Sequence, residues 1–291
     1  MGNAVVHFEI GGPDDQPLVA FYRQLFGWDL QAMPGGGYTL IDTRGGSGIN
    51  GGIGKSQTGE PWSTFYVEAD DLQAVLDRAE SLGAKTVLPV TDFGGAVTIA
   101  MFTDPDGLLV GLVKAADPGQ QDQPGPSAGS GEPVDWFEVL GSDAGHTQRF
   151  YADLFGWTVD TSGPAGYGMT GAGAGRGIQG GLGAGEQRWA TIYAHVADVE
   201  QTLAKAEAPG RIPGVRADGR GRSYADRRSA RPGGKCVRRL SPRRSLKPGN
   251  QGCARRLARP EGPGRRADDA GRDAGGIARA PRGYRRPWPA R

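Results

Sequence analysis

Apolar and polar residues alternate over residues 5–10, VVHFEI, which is the period of a half-buried strand. The next stretch places Val19, Tyr22, Leu25 and Phe26 at helical spacing within residues 16–26, and Gly27 is positioned to end that helix. Short strands follow near 28–33, 37–42 and 48–54, punctuated by glycine runs. The order then restarts with a strand at 63–68, a helix at 70–82, and strands near 85–90, 96–102 and 108–114. One strand–helix–three-strand pattern is therefore written twice in the first 114 residues.

The whole of that pattern is itself copied. FYRQLFGW at 21–28 recurs as FYADLFGW at 150–157, 129 positions later. At the same offset VVHFEIGG (5–12) falls on VDWFEVLG (134–141), Tyr38 on Tyr167, and GINGGIG (48–54) on GIQGGLG (177–183). The register then slips by two, and residues 62–81 match residues 189–208. Duplication of this kind fixes the architecture before any finer reading. The segment between the copies, 115–132, is rich in Pro, Gly, Ser and Gln and reads as a flexible linker. The expected organisation is a complete domain at 1–114, the linker, a truncated domain at 133–208, and a disordered Arg/Gly/Pro-rich tail at 209–291.

Charge supports the last boundary. Residues 1–208 carry a net charge of −16 and residues 209–291 one of +18, and 22 of those last 83 residues are arginine. The tail lacks the apolar periodicity needed to offset ordering entropy. Two readings of it stand: a basic tail attracting nucleic acid nonspecifically, or text read in a shifted frame of a GC-rich gene, which also explains why the second copy breaks off after its second helix. Both cysteines, Cys236 and Cys253, lie in the tail, so no disulfide staples the two copies. No apolar run is long enough to span a membrane and the start does not read as a secretory leader, so a cytoplasmic protein with no membrane partner is expected.

The strand–helix start with FYxxLFGW, the paired βαβββ order, the helix DDLQAVLDRAESLGA and TDPDGLLVGLV at 103–113 together resemble the vicinal oxygen chelate superfamily of glyoxalases, bleomycin-resistance proteins and extradiol dioxygenases, over about residues 4–208. The resemblance implies an α+β fold in which paired βαβββ modules form curled mixed sheets around a cleft, often holding a divalent metal and often completed between subunits of a homodimer. It places metal donors on the first, fourth, fifth and eighth strands. Those positions here offer His7, the stretch INGGI, Thr64 and Gly111 in the first copy, and Trp136 and Thr191 in the second. His7 alone is a metal-ligand type, so no cofactor is expected. A divalent metal held by His7, Glu9 and Glu68 is the alternative.

Alternation puts His7 and Glu9 on one face of the first strand, opposite Val6, Phe8 and Ile10, and groups Tyr66 and Glu68 on the fifth. The matching face of the second copy presents Trp136, Glu138, Tyr193 and His195. Aromatic walls with a few polar groups suit an apolar or cationic small molecule. The expected function is small-molecule binding without metal. The alternatives are an enzyme of glyoxalase or dioxygenase type, with Glu9, Glu68 or a Glu138–His195 pair as general base, and a non-catalytic assembly module. The missing strands lead to the expectation that residues 133–208 are less stable than residues 1–114.

Overall fold

The structure, a computed structural model, describes residues 2–56, 59–115, 124–163, 166–171, 176–207 and 235–236. Apart from its residues 235–236, the tail expected at 209–291 lies outside the described residues, as does most of the first half of the linker.

The first unit contains β1 (Val5–Gly12), α1 (Asp15–Phe26), β2 (Asp29–Ala32), β3 (Tyr38–Asp42), β4 (Asn50–Lys55), β5 (Trp62–Ala69), α2 (Leu72–Ser81), β6 (Lys85–Asp92), β7 (Thr98–Thr103) and β8 (Leu109–Lys114). Its eight strands form one mixed sheet in the order β2-β3-β4-β1-β5-β8-β7-β6. Each βαβββ module closes by a parallel pair, β1 with β4 and β5 with β8, and antiparallel pairing of β1 with β5 joins the modules. The second unit repeats the first module as β9 (Val134–Gly141), α3 (Ala144–Phe155), β10 (Val159–Asp160), β11 (Gly168–Thr170) and β12 (Gln179–Ala184), followed by β13 (Trp189–Val196) and α4 (Val199–Glu207). Where the first unit sets β8 beside β5, the described residues of the second set β14 (Lys235–Cys236) against the end of β13.

The copied segments fold alike because they carry the same end signals. Asp14 caps α1 by accepting from the Gln16 N–H, and Asp143 caps α3 by accepting from the His146 N–H. Gly27 and Gly156 end these helices at φ 67° in both cases, a left-handed conformation that glycine adopts without steric penalty. Each following tryptophan, Trp28 and Trp157, is buried against the aromatic residues of its own helix.

One expectation about faces needs correcting. Val6 does not join Phe8 and Ile10 in the core; Val5 does, at 1% exposure. A β-bulge between Val5 and His7 makes Val6 the extra residue, and the second unit repeats the irregularity opposite Tyr193 and Ala194, where Asp135 is the extra residue.

The two units meet across an approximate two-fold relation in which the central contacts are returned by their copies. The Trp28 indole N–H donates to the Glu132 carbonyl at 2.7 Å, and the Trp157 indole N–H donates to the Asn3 carbonyl at 2.6 Å. Ile49 N–H donates to Val134 O at 2.9 Å, and Ile178 N–H to Val5 O at 3.1 Å. The Phe65 and Phe137 rings lie 4.7 Å apart at the centre of this joint, both fully buried. The hydrophobic core thus runs without a break through both units.

One contact set at the joint has no counterpart among the described residues. The turn from β7 to β8 carries Asp104 and Asp106 onto the second unit. The Tyr151 hydroxyl donates to Asp104 at 3.0 Å, the Ser142 N–H donates to Asp106 at 2.9 Å, and the Arg188 guanidinium lies 3.5 Å from Asp106.

Candidate functional site

The helices cover one face of the first sheet. The opposite face carries His7 and Glu9 on β1, Tyr38 on β3, Tyr66 on β5 and Met101 on β7. The register sets His7 beside both Asn50 and Tyr66, and Tyr66 beside Gly111. The Tyr66 hydroxyl donates to Glu9 and also lies 3.9 Å from the Met101 sulfur. His7 Nε2 and the Tyr38 hydroxyl share a hydrogen bond of 3.1 Å.

Burial governs the charges here. It pushes the Glu9 carboxyl up to about 7, against the hydrogen bond from Tyr66, which works the other way. It pushes the His7 imidazole down to about 4, so His7 is neutral across the physiological range. Burial and the neighbouring Glu9 raise the Tyr38 hydroxyl well above its ordinary value.

Glycines make room for the tyrosines. A Cβ at Gly52 would collide with the Tyr38 hydroxyl, and a Cβ at Gly111 would collide with the Tyr66 ring. The fourth and eighth strands, both implied as donor carriers, therefore meet aromatic side chains where further ligands would sit. Among the described residues no three His, Cys, Asp or Glu side chains gather in a way that could hold a metal ion. In particular, His7, Glu9 and Glu68 do not form the alternative metal site: Glu68 pairs with Arg176 of the second unit at 2.7 Å, while His7 and Glu9 engage separate tyrosines.

The second unit builds a related cage. Glu138, 5% exposed, accepts from the Tyr167 hydroxyl at 3.0 Å, the Trp189 indole N–H at 3.0 Å and the Tyr193 hydroxyl at 2.7 Å. Gly181 leaves room for the Tyr167 hydroxyl as Gly52 does for Tyr38. Trp136, the copy of His7, stands beside Tyr193 in the β9–β13 register. The expected Glu138–His195 pair does not form. His195 pairs with Asp135 at 3.2 Å and is 42% exposed; the residue of β13 that stands beside Glu138 is Thr191, four positions before His195.

Sequence reasoning missed Tyr38, Tyr167, Trp189 and Met101. The first three carry a signal in the chain, since each has a copy in the other unit, Tyr38 and Tyr167 in one another and Trp189 in Trp62.

The comparisons bear on this geometry. The Glyoxalase/Bleomycin resistance protein/Dioxygenase superfamily matches residues 4–112, which is the complete eight-stranded unit almost to its end. Residues 4–112 are a domain of that superfamily. A relative of this glyoxalase-type domain, "Putative glyoxylase CFP32" of Mycobacterium tuberculosis, is 33% identical over 111 residues, covering 35% of this chain and 42% of the relative. The chain thus spans less than half the length of that relative. The anthracycline biosynthesis protein DnrV of Streptomyces peucetius is 28% identical over 246 residues, covering 72% of this chain and 84% of DnrV. Among solved structures, the Mn(II)-bound glyoxalase of Novosphingobium aromaticivorans is 16% identical with a TM-score of 0.49, covering 70% of this chain and 69% of its own.

The expectation that no cofactor is needed is corrected at this point. A glyoxalase-type structure named for its bound Mn(II) stands among the similar folds, and the absence of a cofactor is not carried forward. The described side chains do not converge on a cation, however.

Tyr66→Phe removes the hydroxyl that donates to Glu9. The expected result is a Glu9 midpoint above 7 and a stability loss of about 1 kcal/mol. A titration of carbon-13-labelled glutamate side chains reads the first and urea melts the second; an unmoved midpoint contradicts the assigned hydrogen bond.

Proposed function

We propose that the face of the first sheet carrying His7, Glu9, Tyr38, Tyr66 and Met101 binds a small, largely apolar molecule, with Glu9 as its polar anchor. The observation that carries this reading is a carboxyl group set among aromatic side chains, pushed up to about 7 by burial, and met by one protein donor among the described residues. Apolar walls with a few placed polar groups are the usual make-up of a small-molecule site. Leu40, one pleat beyond Tyr38, is 43% exposed and extends the apolar wall. Names of relatives accord with such work: one is a glyoxylase and another belongs to anthracycline biosynthesis.

A second reading, proton transfer to or from the bound molecule, is favoured by the Glu9 value itself. A carboxyl group that titrates near neutral pH is matched to general acid–base work. A lyase of glyoxalase type would use it in that way.

The test is a ligand screen by thermal shift on the full chain, run with and without Mn, Ni, Zn and Fe ions. Aromatic ligands are expected to raise the melting temperature of the wild-type chain and to do so far less for Glu9→Gln. Stabilisation that is equal in both chains removes Glu9 from the site. Turnover of a ligand that stops in Glu9→Gln favours the proton-transfer reading.

A further inference from the structure

The two glutamates sit at equivalent positions, 9 and 138, yet their surroundings differ in two places. Glu138 has three donors: Tyr167 on one carboxylate oxygen, and Trp189 and Tyr193 on the other. The chain keeps the copies of all three in the first unit, as Tyr38, Trp62 and Tyr66. Only Tyr66 donates to Glu9 among the described residues.

The withdrawal of the other two has a visible cause in each case. Trp136 of the second unit is replaced by His7 in the first, and His7 Nε2 engages the Tyr38 hydroxyl. Leu140 of the second unit is replaced by Gly11. In both units this position pairs with the tryptophan across the strands, Gly11 with Trp62 and Leu140 with Trp189. With no side chain at Gly11, the Trp62 indole lies directly over that residue, where a Cβ would collide with its ring nitrogen. With leucine at 140, the Trp189 indole reaches Glu138 instead. A Cβ at Gly54 would stand 3.0 Å from the Glu9 oxygen that Tyr66 does not hold, so the glycine there keeps that oxygen uncrowded.

We propose that the duplicated cage has diverged into a locked copy around Glu138 and an open copy around Glu9, and that the open copy takes a ligand whose head group supplies the two missing donors, one to each carboxylate oxygen. Two donors set side by side on one planar group, as in an amidine or guanidine, meet a carboxylate in a two-pronged fashion. An aromatic or other apolar body then lies against the tyrosines. His7 and Gly11 are positioning residues in this scheme: they act on the ligand through Tyr38 and Trp62. The proposal rests on the binding face described above and adds the ligand class and the reason why one copy, not both, is open.

The probe is benzamidine, titrated calorimetrically into the full chain beside toluene, which has the same body and no donors. The expected result is one benzamidine per chain, bound at least about tenfold more tightly than toluene, which is about 1.4 kcal/mol. His7→Trp combined with Gly11→Leu copies the locked unit and is expected to weaken benzamidine about tenfold or more, and toluene by less. Should that chain fail to fold, the reverse pair in the second unit, Trp136→His with Leu140→Gly, provides the answer, with two benzamidines expected per chain. Equal affinity for benzamidine and toluene overturns the proposal and leaves the binding face standing. Two equivalents bound by the wild-type chain, or benzamidine binding indifferent to both double variants, also overturns it. Failure of both probes to bind overturns the binding face together with the proposal.

Discussion

Glu9→Gln is expected to make the stability of the chain rise with pH by about 3 kcal/mol relative to wild type, and His7→Gln to make it fall by a similar amount. The sign follows from which state holds the proton. Glu9 titrates near 7 in the folded chain against 4.5 for the free side chain. The folded state therefore binds more protons between these values, and stability falls as pH rises from 4.5 to 7. His7 titrates near 4 in the folded chain against 6.5. There the unfolded state binds more protons, and stability rises as pH climbs from 4 to 6.5. Each displacement corresponds to about 3 kcal/mol. In the wild-type chain the two slopes overlap and largely cancel, because the pair exchanges a charged His7 at low pH for a charged Glu9 at high pH. Removing Glu9 uncovers the His7 slope. Glutamine at position 7 can still bond Tyr38, and it uncovers the Glu9 slope. Urea melts of the three chains at pH 4, 5.5 and 8 read the differences directly. Two variants whose profiles run parallel to wild type would falsify the assignment of both buried groups.

Phe137→Ala is expected to destabilise the whole chain by about 3–5 kcal/mol, the range for removing a buried aromatic ring. Phe137 is 1% exposed and packs on Phe65 of the other unit at 4.7 Å. Its loss opens a cavity at the joint, not within one unit. Because the core is continuous, both units are expected to melt in one transition, before and after the substitution. Amide signals of Phe8 and Leu182, each fully buried in its own sheet, report the two units separately in a denaturant series. Two separated transitions, or proteolysis that clears residues 133–207 while residues 2–115 stay folded, would support the expectation drawn from sequence that the second unit is the weaker one, and would contradict the shared core.

What the sequence made legible was whatever local chemistry dictates. The α1 and α3 boundaries follow from Asp14, Asp143, Gly27 and Gly156, and the strand order within each module follows from alternation and glycine punctuation. Glu9, Tyr66, Glu138 and Tyr193 were placed on the correct face for the same reason. The reading failed where tertiary register decides. Tyr38 reaches His7 only because β3 pairs with β4 and β4 with β1. Trp189 reaches Glu138 only because β13 pairs with β9. The bulge at Val6 cannot be read from alternation, and it moved Val6 out of the core; the β9–β13 register sets Thr191, not His195, beside Glu138. Gly111 was read as a lost donor position; the structure shows it as the clearance beneath the Tyr66 ring.

The turn bearing Asp104 and Asp106 grips the second unit from one side, and the described residues return no equivalent grip. Together with the shared aromatic core, this means that the covalent linker is not what keeps the halves together. A chain nicked between them should elute as one particle, and halves produced as separate polypeptides should find each other and restore the missing partner's surface, as split reporters do.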